Sequence, residues 1–210
     1  MRLNPEIAAI LEPAYRPCIE FGAACAEMRW KPEQGHVPRG FLGAAGELEE
    51  VELVLVFAEP GDPHDDESHT GLESAYSRAT LGFGTGRDLF HRNVRSILDL
   101  CWPGISFESQ MKKAWLTESV LCSARTEGGG VSKSASRACG NRYLLQQLAK
   151  FPNALVVGLG RKAQSRLDDI GVANFLRVGA AAPPGCNRKV VRDSWACIPA
   201  ELVKRRGAGG

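Results

Sequence analysis

Glu59, Asp62 and His64 fall in one short stretch, Ala58-Glu59-Pro60-Gly61-Asp62-Pro63-His64. A carboxylate placed there can orient a water, act as a base or stabilise a developing cation. The two prolines and the glycine exclude regular structure, so these groups sit on a stiff loop. A solvated acidic loop is the plain alternative. A further carboxylate, Glu118, lies inside the apolar segment Ala114–Cys122, AWLTESVLC. Burial there is costly unless the group is paired or faces a cavity, where it could accept a hydrogen bond from an N–H of a ligand. A strand end nearer the surface would explain it equally.

The glycine-rich pieces carry less. Gly82-Phe83-Gly84-Thr85-Gly86-Arg87 looks like a phosphate loop, but no strand leads into it and no GKS or GKT follows. Val157-Gly158-Leu159-Gly160-Arg161 does follow a strand and open a helix, so its amides could meet an anion. It lacks the third glycine of the dinucleotide motif. HExxH, CxxC and GxSxG are absent.

The elements that must position these groups are read from apolar runs. Val51–Phe57, VELVLVF, is of strand length, and the Glu59 loop follows it directly. Ala114–Cys122, Asn153–Leu159 and, more weakly, Ala173–Val178 supply three more strands. Helical spacing marks Pro5–Met28 (broken at Pro13 and Pro17), Arg87–Cys101, Arg137–Phe151, the segment from Gly160 to about Asp169, and Arg192–Arg206 with an interruption near Pro199. Arg29–Glu50 reads as a connector and His64–Gly86 as a long loop. The alternation predicts an α/β fold, a three-layer α/β/α sandwich around a central, mostly parallel four-stranded sheet. Ligands of such sheets bind outside the carboxyl ends of the strands, which is where the Glu59 loop falls. One domain is expected over residues 1–206, with 207–210 as a disordered tail.

The chain has 210 residues, 44% of them hydrophobic and 24% charged, the composition of an ordinary globular protein. No window approaches the roughly 18 apolar residues of a membrane span. Glu6 and Glu12 interrupt the apolar N-terminal stretch, which speaks against a secretory signal and for a cytoplasmic protein. Seven cysteines, an odd number without a short secreted framework, argue against disulfides and for free buried thiols. The net charge of +2 is unevenly spread. Ala45–Thr70 holds nine carboxylates and no Lys or Arg, whereas Asn187–Arg206 is basic. A basic segment suits a polyanionic partner, and an acidic segment beside the site repels one.

Taken together, Leu116-Thr117-Glu118-Ser119-Val120-Leu121-Cys122-Ser123, Ala138-Cys139-Gly140-Asn141-Arg142-Tyr143-Leu144 and Leu159-Gly160-Arg161-Lys162-Ala163 resemble a block of the uracil-DNA glycosylase superfamily, closest to its iron–sulfur branch, family 4. The match covers about a quarter of the chain well, and the rest follows in order only. The resemblance implies hydrolysis of the N-glycosidic bond of uracil or another deaminated or damaged base in DNA, after the base is flipped into a pocket. On this basis Glu59, with Asp62 as the alternative, positions water. Phe83 stacks on the base, with Phe90 as the fallback, and Glu118 falls where the family's Asn reads the base edge. Ala181-Ala182-Pro183-Pro184-Gly185 falls at the loop that enters the DNA groove, so Pro183 and Pro184 would press into DNA. Arg161, Arg188 and Lys189 would meet phosphates.

This chain also departs from the family. Glu118, when ionised, offers only acceptors. Ala182 stands where the family has His. Cys18 and Cys25 have six intervening residues where the family has two, so a four-iron cluster with Cys122 and Cys139 is not expected, and no cofactor or metal is. Two other functions stay open. One is a catalytically impaired nucleic-acid or damage-binding protein of the same fold, favoured by the missing His. The other is a small-molecule nucleoside hydrolase, favoured by the acidic segment.

Overall fold

Valine and leucine runs buried on both faces build the centre of the sheet, as parallel strands covered on both sides require. The structure, a computed structural model, describes residues 1–208. Its strands are β1 (Leu42–Gly43), β2 (Leu53–Phe57), β3 (Ala114–Glu118), β4 (Leu155–Leu159) and β5 (Leu176–Val178). They lie in the order β1-β3-β2-β4-β5, parallel except for β1, which pairs antiparallel with β3. The sheet therefore has one more strand than the apolar runs indicate. Two residues in a Gly- and Pro-bearing connector are too few to leave a pattern, and only the pairing with Trp115 and Leu116 makes them a strand.

The helices are α1 (Pro5–Leu11), α2 (Leu72–Thr85), α3 (Leu89–Cys101), α4 (Phe107–Lys113), α5 (Lys133–Cys139), α6 (Leu145–Ala149), α7 (Arg161–Asp169), α8 (Lys189–Asp193) and α9 (Cys197–Ala208). One layer joins α2, α3 and α9, the last lying on β4; the other joins α1, α5, α6 and α7, with α7 on β2 and β4. Inside the second layer, Gln147 accepts from Trp115 Nε1 at 3.0 Å and from Thr117 Oγ1 at 2.8 Å, fastening α6 to β3.

Three expectations change. Much of the long loop His64–Gly86 is α2, with Leu72, Ala75, Tyr76 and Phe83 buried along one stripe. Glycines at 82 and 84 lower helix propensity and hide that stripe in the sequence. Gly82 has a packing reason: a Cβ there would lie 2.9 Å from the His91 ring on α3. The helix at Arg137–Phe151 is two short α segments joined through a wide turn at Gly140–Leu144. Finally, α9 runs through Pro199, which occupies its first turn, where no N–H is needed. The expected tail begins inside α9, which includes Gly207 and Ala208; residues 209 and 210 lie outside the described residues. Among the described residues no helix is long and apolar enough to cross a membrane.

Candidate active site

Parallel register brings the chemistry to one end of the sheet. Phe57 at the end of β2 pairs with Glu118 at the end of β3, and the ladder continues as Ser119 N–H to Phe57 O and Val120 N–H to Ala58 O. Glu59 therefore emerges beside Glu118. On the other side of β2, the end of β4 leads through Gly160 into α7, and the end of β5 leads into the Ala181–Lys189 segment. Connections leave β2 towards β3 on one side and reach β4 on the other, so a crevice between diverging loops is expected there.

Glu59 stands at this end of the sheet. Its side chain is 6% exposed and meets two cations from α7, Lys162 Nζ at 2.5 Å and Arg166 Nη1 at 2.6 Å. Arg166 directs its hydrogen bonds elsewhere, to Ala58 O at 2.7 Å and Ser119 Oγ at 3.1 Å. Its hold on Glu59 Oε2 is thus electrostatic, and that oxygen has no hydrogen-bond partner. Lys162 also takes Gly128 O and Gly129 O, which ties the glycine loop to the same carboxylate. Asp62 is different. It is half exposed and paired with Arg29, while its N–H donates to Glu127. His64 is exposed and lies 3.8 Å from Asp88. Of the three groups on the loop, the fold buries only the Glu59 carboxylate.

Glu118 is buried, with Oε2 unpartnered. Burial first, then the neighbouring Glu59, pushes its carboxyl well above the usual range, against the pull of Arg166 and Arg39. Gly40 packs directly on it: a Cβ there would fall 2.7 Å from Glu118 Cγ and Oε1, and the backbone at φ +85° is itself one that glycine adopts freely. Arg39 is buried beside it, hydrogen-bonded to Gly35 O and Gly61 O and 3.7 Å from Glu67. The connector Arg29–Glu50 is thus a wall of the site.

Phe83 lies elsewhere. Only 1% exposed, it packs edge-on against Phe90 and His91 and offers no open face to a base. Phe90 is half-buried and packs at 5.0 Å against Phe57, the register partner of Glu118, so the fold brings this ring nearer the site.

The loop after β5 is exposed and firmly rooted. Asn93 donates to Ala181 O at 2.8 Å, Trp195 Nε1 to Gly179 O at 3.0 Å, and Arg192 to Cys186 O at 2.9 Å. Pro183, Pro184, Arg188 and Lys189 stand out from those anchors, and Arg161 is exposed at the start of α7. Lys189 pairs with Asp193; Arg161 and Arg188 make no ion pair among the described residues.

Part of the acidic segment is ion-paired in three dimensions. Arg78 and Arg87 hold Asp66 well below the usual carboxylate range. Against the cost of burial, His69, the His64 N–H and Arg39 bring Glu67 down to about 2. Glu52 pairs with Lys113 and Arg206, which also places the C-terminal basic cluster at the opposite end of the sheet from Glu59.

Cys18, Cys25, Cys122 and Cys139 line one cavity, walled also by Phe21, Met28 and Leu121. The turn Ile19–Gly22 and a Cys25 N–H to Glu20 O bond fold the first two cysteines back onto one space despite their six-residue spacing. Two sulfurs already accept hydrogen bonds, Cys18 from Tyr143 Oη at 3.1 Å and Cys139 from the Leu121 N–H at 3.4 Å. Burial drives Cys25 up to about 11 and Cys139 up to about 12, so a cation is needed to make thiolates of them. No three His, Cys, Asp or Glu among the described residues could hold a single metal ion. The space the four cysteines enclose is about 20 Å³, so a cluster bridging their sulfurs would require its walls to part.

Sequence reasoning missed Arg39, Gly40, Lys162 and Arg166 as site residues. No local signal marks them: each matters only because the connector and α7 pack against strand ends distant in the chain. Compared with known proteins, the chain matches no family model and no curated sequence.

Proposed function

We propose that this protein is a divergent DNA glycosylase of the uracil-DNA glycosylase type, hydrolysing the N-glycosidic bond of uracil or another deaminated or damaged base. The observation that carries the reading is the meeting of Glu59 and Glu118 at the carboxyl ends of adjacent central strands. One carboxyl is ion-paired and the other is buried without a partner. Two carboxyl groups in such unlike settings suit a division of labour. Glu59 positions the attacking water and stabilises the positive charge that develops on the sugar as the bond to the base breaks. Glu118 engages the base, and Phe90 supplies the aromatic face in place of Phe83. Pro183 and Pro184 press on the duplex while Arg161, Arg188 and Lys189 meet phosphates. Pairing of five carboxylates in the acidic segment weakens the main argument for a free nucleoside as substrate.

Cys18, Cys25, Cys122 and Cys139 would hold a four-iron cluster in this reading. Bound there, it would staple the N-terminal segment to the loop after β3, and no step of the hydrolysis passes through it. Protein purified without oxygen should carry about four irons and as many labile sulfides per chain. Cys25→Ala should lose most of both. A colourless protein that takes up no iron on reconstitution would remove the cluster from the reading.

The deciding experiment incubates the protein with end-labelled single- and double-stranded oligonucleotides bearing one uracil, hypoxanthine or xanthine. Alkali then reveals abasic sites. Cleavage at one modified base is the expected result. A gel shift without base release would favour the damage-binding protein, a reading supported by Lys162 occupying Glu59 Oε1 and by Ala182 where an imidazole would stabilise the leaving base. Neither cleavage nor shift would refute both.

A further inference from the structure

A cavity of about 500 Å³, the size of a small-molecule site, lies between the end of α1 and the wide turn at Gly140–Leu144. None of the residues lining it belongs to the Glu59 end of the sheet. Apolar walls come from Ala9 and Ile10 on α1, from Pro13 just beyond it and from Ala138 on α5. Glu20 and Arg142 are the only charged residues in the lining, and Asn141 and Gln146 supply amides. The turn that carries Arg142 is built in: the Leu145 N–H reaches back five residues to Gly140 O, and a Cβ on Gly140 would fall 2.9 Å from Ile170 behind it. Such wide turns recur at functional sites.

Arg142 Nη1 and Glu20 Oε1 stand 3.9 Å apart, beyond hydrogen-bond reach, so neither satisfies the other. One bond steadies both. Tyr143, buried in the cavity lining next to Arg142, donates through Oη to Cys18 Sγ at 3.1 Å, two residues before Glu20. The Cys25 N–H to Glu20 O bond holds the turn from its other side. Gln146 Nε2 donates to Arg142 O at 2.6 Å, which leaves its Oε1 to accept.

We propose that this cavity binds a free α-amino acid with an apolar side chain. The α-carboxylate meets the Arg142 guanidinium, the α-ammonium meets Glu20, and the side chain lies on Ala9, Ile10, Pro13 and Ala138. An ammonium and a carboxylate on one carbon match two opposite charges held side by side. A peptide parts those charges, a phosphate would meet Glu20 as well as Arg142, and a third charge on the ligand would find no partner in the lining.

The test is calorimetric titration with L-phenylalanine and L-leucine, set beside phenethylamine, which lacks the carboxylate, and 3-phenylpropionate, which lacks the ammonium. Saturable binding of both amino acids is expected, with each one-charge analogue about 10- to 100-fold weaker. Arg142→Gln and Glu20→Gln should each weaken phenylalanine by a similar factor, and Ala9→Phe, which fills the cavity and keeps both charges, should abolish binding. Urea unfolding checks that the variants stay folded. Base release by Arg142→Gln should equal that of wild type, which keeps this inference separate from the glycosylase reading. No saturable binding of either amino acid at millimolar concentration would overturn the proposal. So would an analogue as tight as phenylalanine, or folded variants that bind it as wild type does.

Discussion

Replacing Glu59 by glutamine should cut base release from a uracil-bearing oligonucleotide by about 10²–10⁴-fold, the range for a positioned acid–base group. Binding of the same oligonucleotide should stay within about threefold or tighten slightly, because the variant removes a negative charge near the face proposed to meet phosphates. The amide keeps the shape of the native side chain, and Arg166 keeps its bonds to Ala58 O and Ser119 Oγ, so the fold should survive. Asp62→Asn is the control. Asp62 lies on the same loop but is half exposed and tied to Arg29, a surface pair worth at most about 1 kcal/mol. Its loss should leave turnover within about threefold. Single-turnover rates with bound oligonucleotide, measured beside anisotropy, separate the two effects. Full turnover in the Glu59 variant would end its role. Equal losses in both variants would mean that the loop acts through its conformation and not through the buried carboxylate.

Arg166→Ala should be the most destabilising change at the site, by about 3–5 kcal/mol, the cost of stripping one partner from a buried pair. Arg166 is 9% exposed and spans the ends of β2 and β3 from α7. Without it, Ala58 O and Ser119 Oγ lose a donor and Glu59 keeps only the half-exposed Lys162. Urea unfolding measures the loss. Combining Arg166→Met with Glu59→Gln should recover part of it, because no unpaired buried charge remains; a double-mutant cycle should give a coupling of about 1–3 kcal/mol. An Arg166→Ala variant as stable as wild type would show that the pair contributes little, and that α7 is held to the sheet by Ala163 and Leu167 alone.

Sequence pattern and fold part company where side chains meet across long separations. Val51–Phe57 and Asn153–Leu159 were legible as strands because a parallel strand covered on both faces must be apolar throughout, and such runs are visible locally. The same physics made the Glu59 loop a candidate, since the end of a buried parallel strand is where ligands bind. Helix α2 was hidden by its glycines, which lower propensity but let α3 approach. Phe83 on that helix went into the core, and Phe90 took the place nearer the strand ends.

Charge tells the same story. The sequence by itself determined that Ala45–Thr70 is acidic. Only the tertiary structure decided which part of this charge is answered, at Asp62, Glu67, Asp66 and Glu59 by Arg29, Arg39, Arg78, Arg87, Lys162 and Arg166 from other segments. The sequence likewise determined that a glutamate stands in a buried strand. How it titrates was decided by what surrounds it: Gly40 against its oxygen, Glu59 beside it, and two guanidinium groups already hydrogen-bonded elsewhere. The four cysteines make the case most plainly. Their spacing along the chain argued against a shared site, and a turn between Cys18 and Cys25 brings them to one cavity. Apolar pattern is a property of neighbours in sequence, whereas desolvation, pairing and convergence belong to neighbours in space.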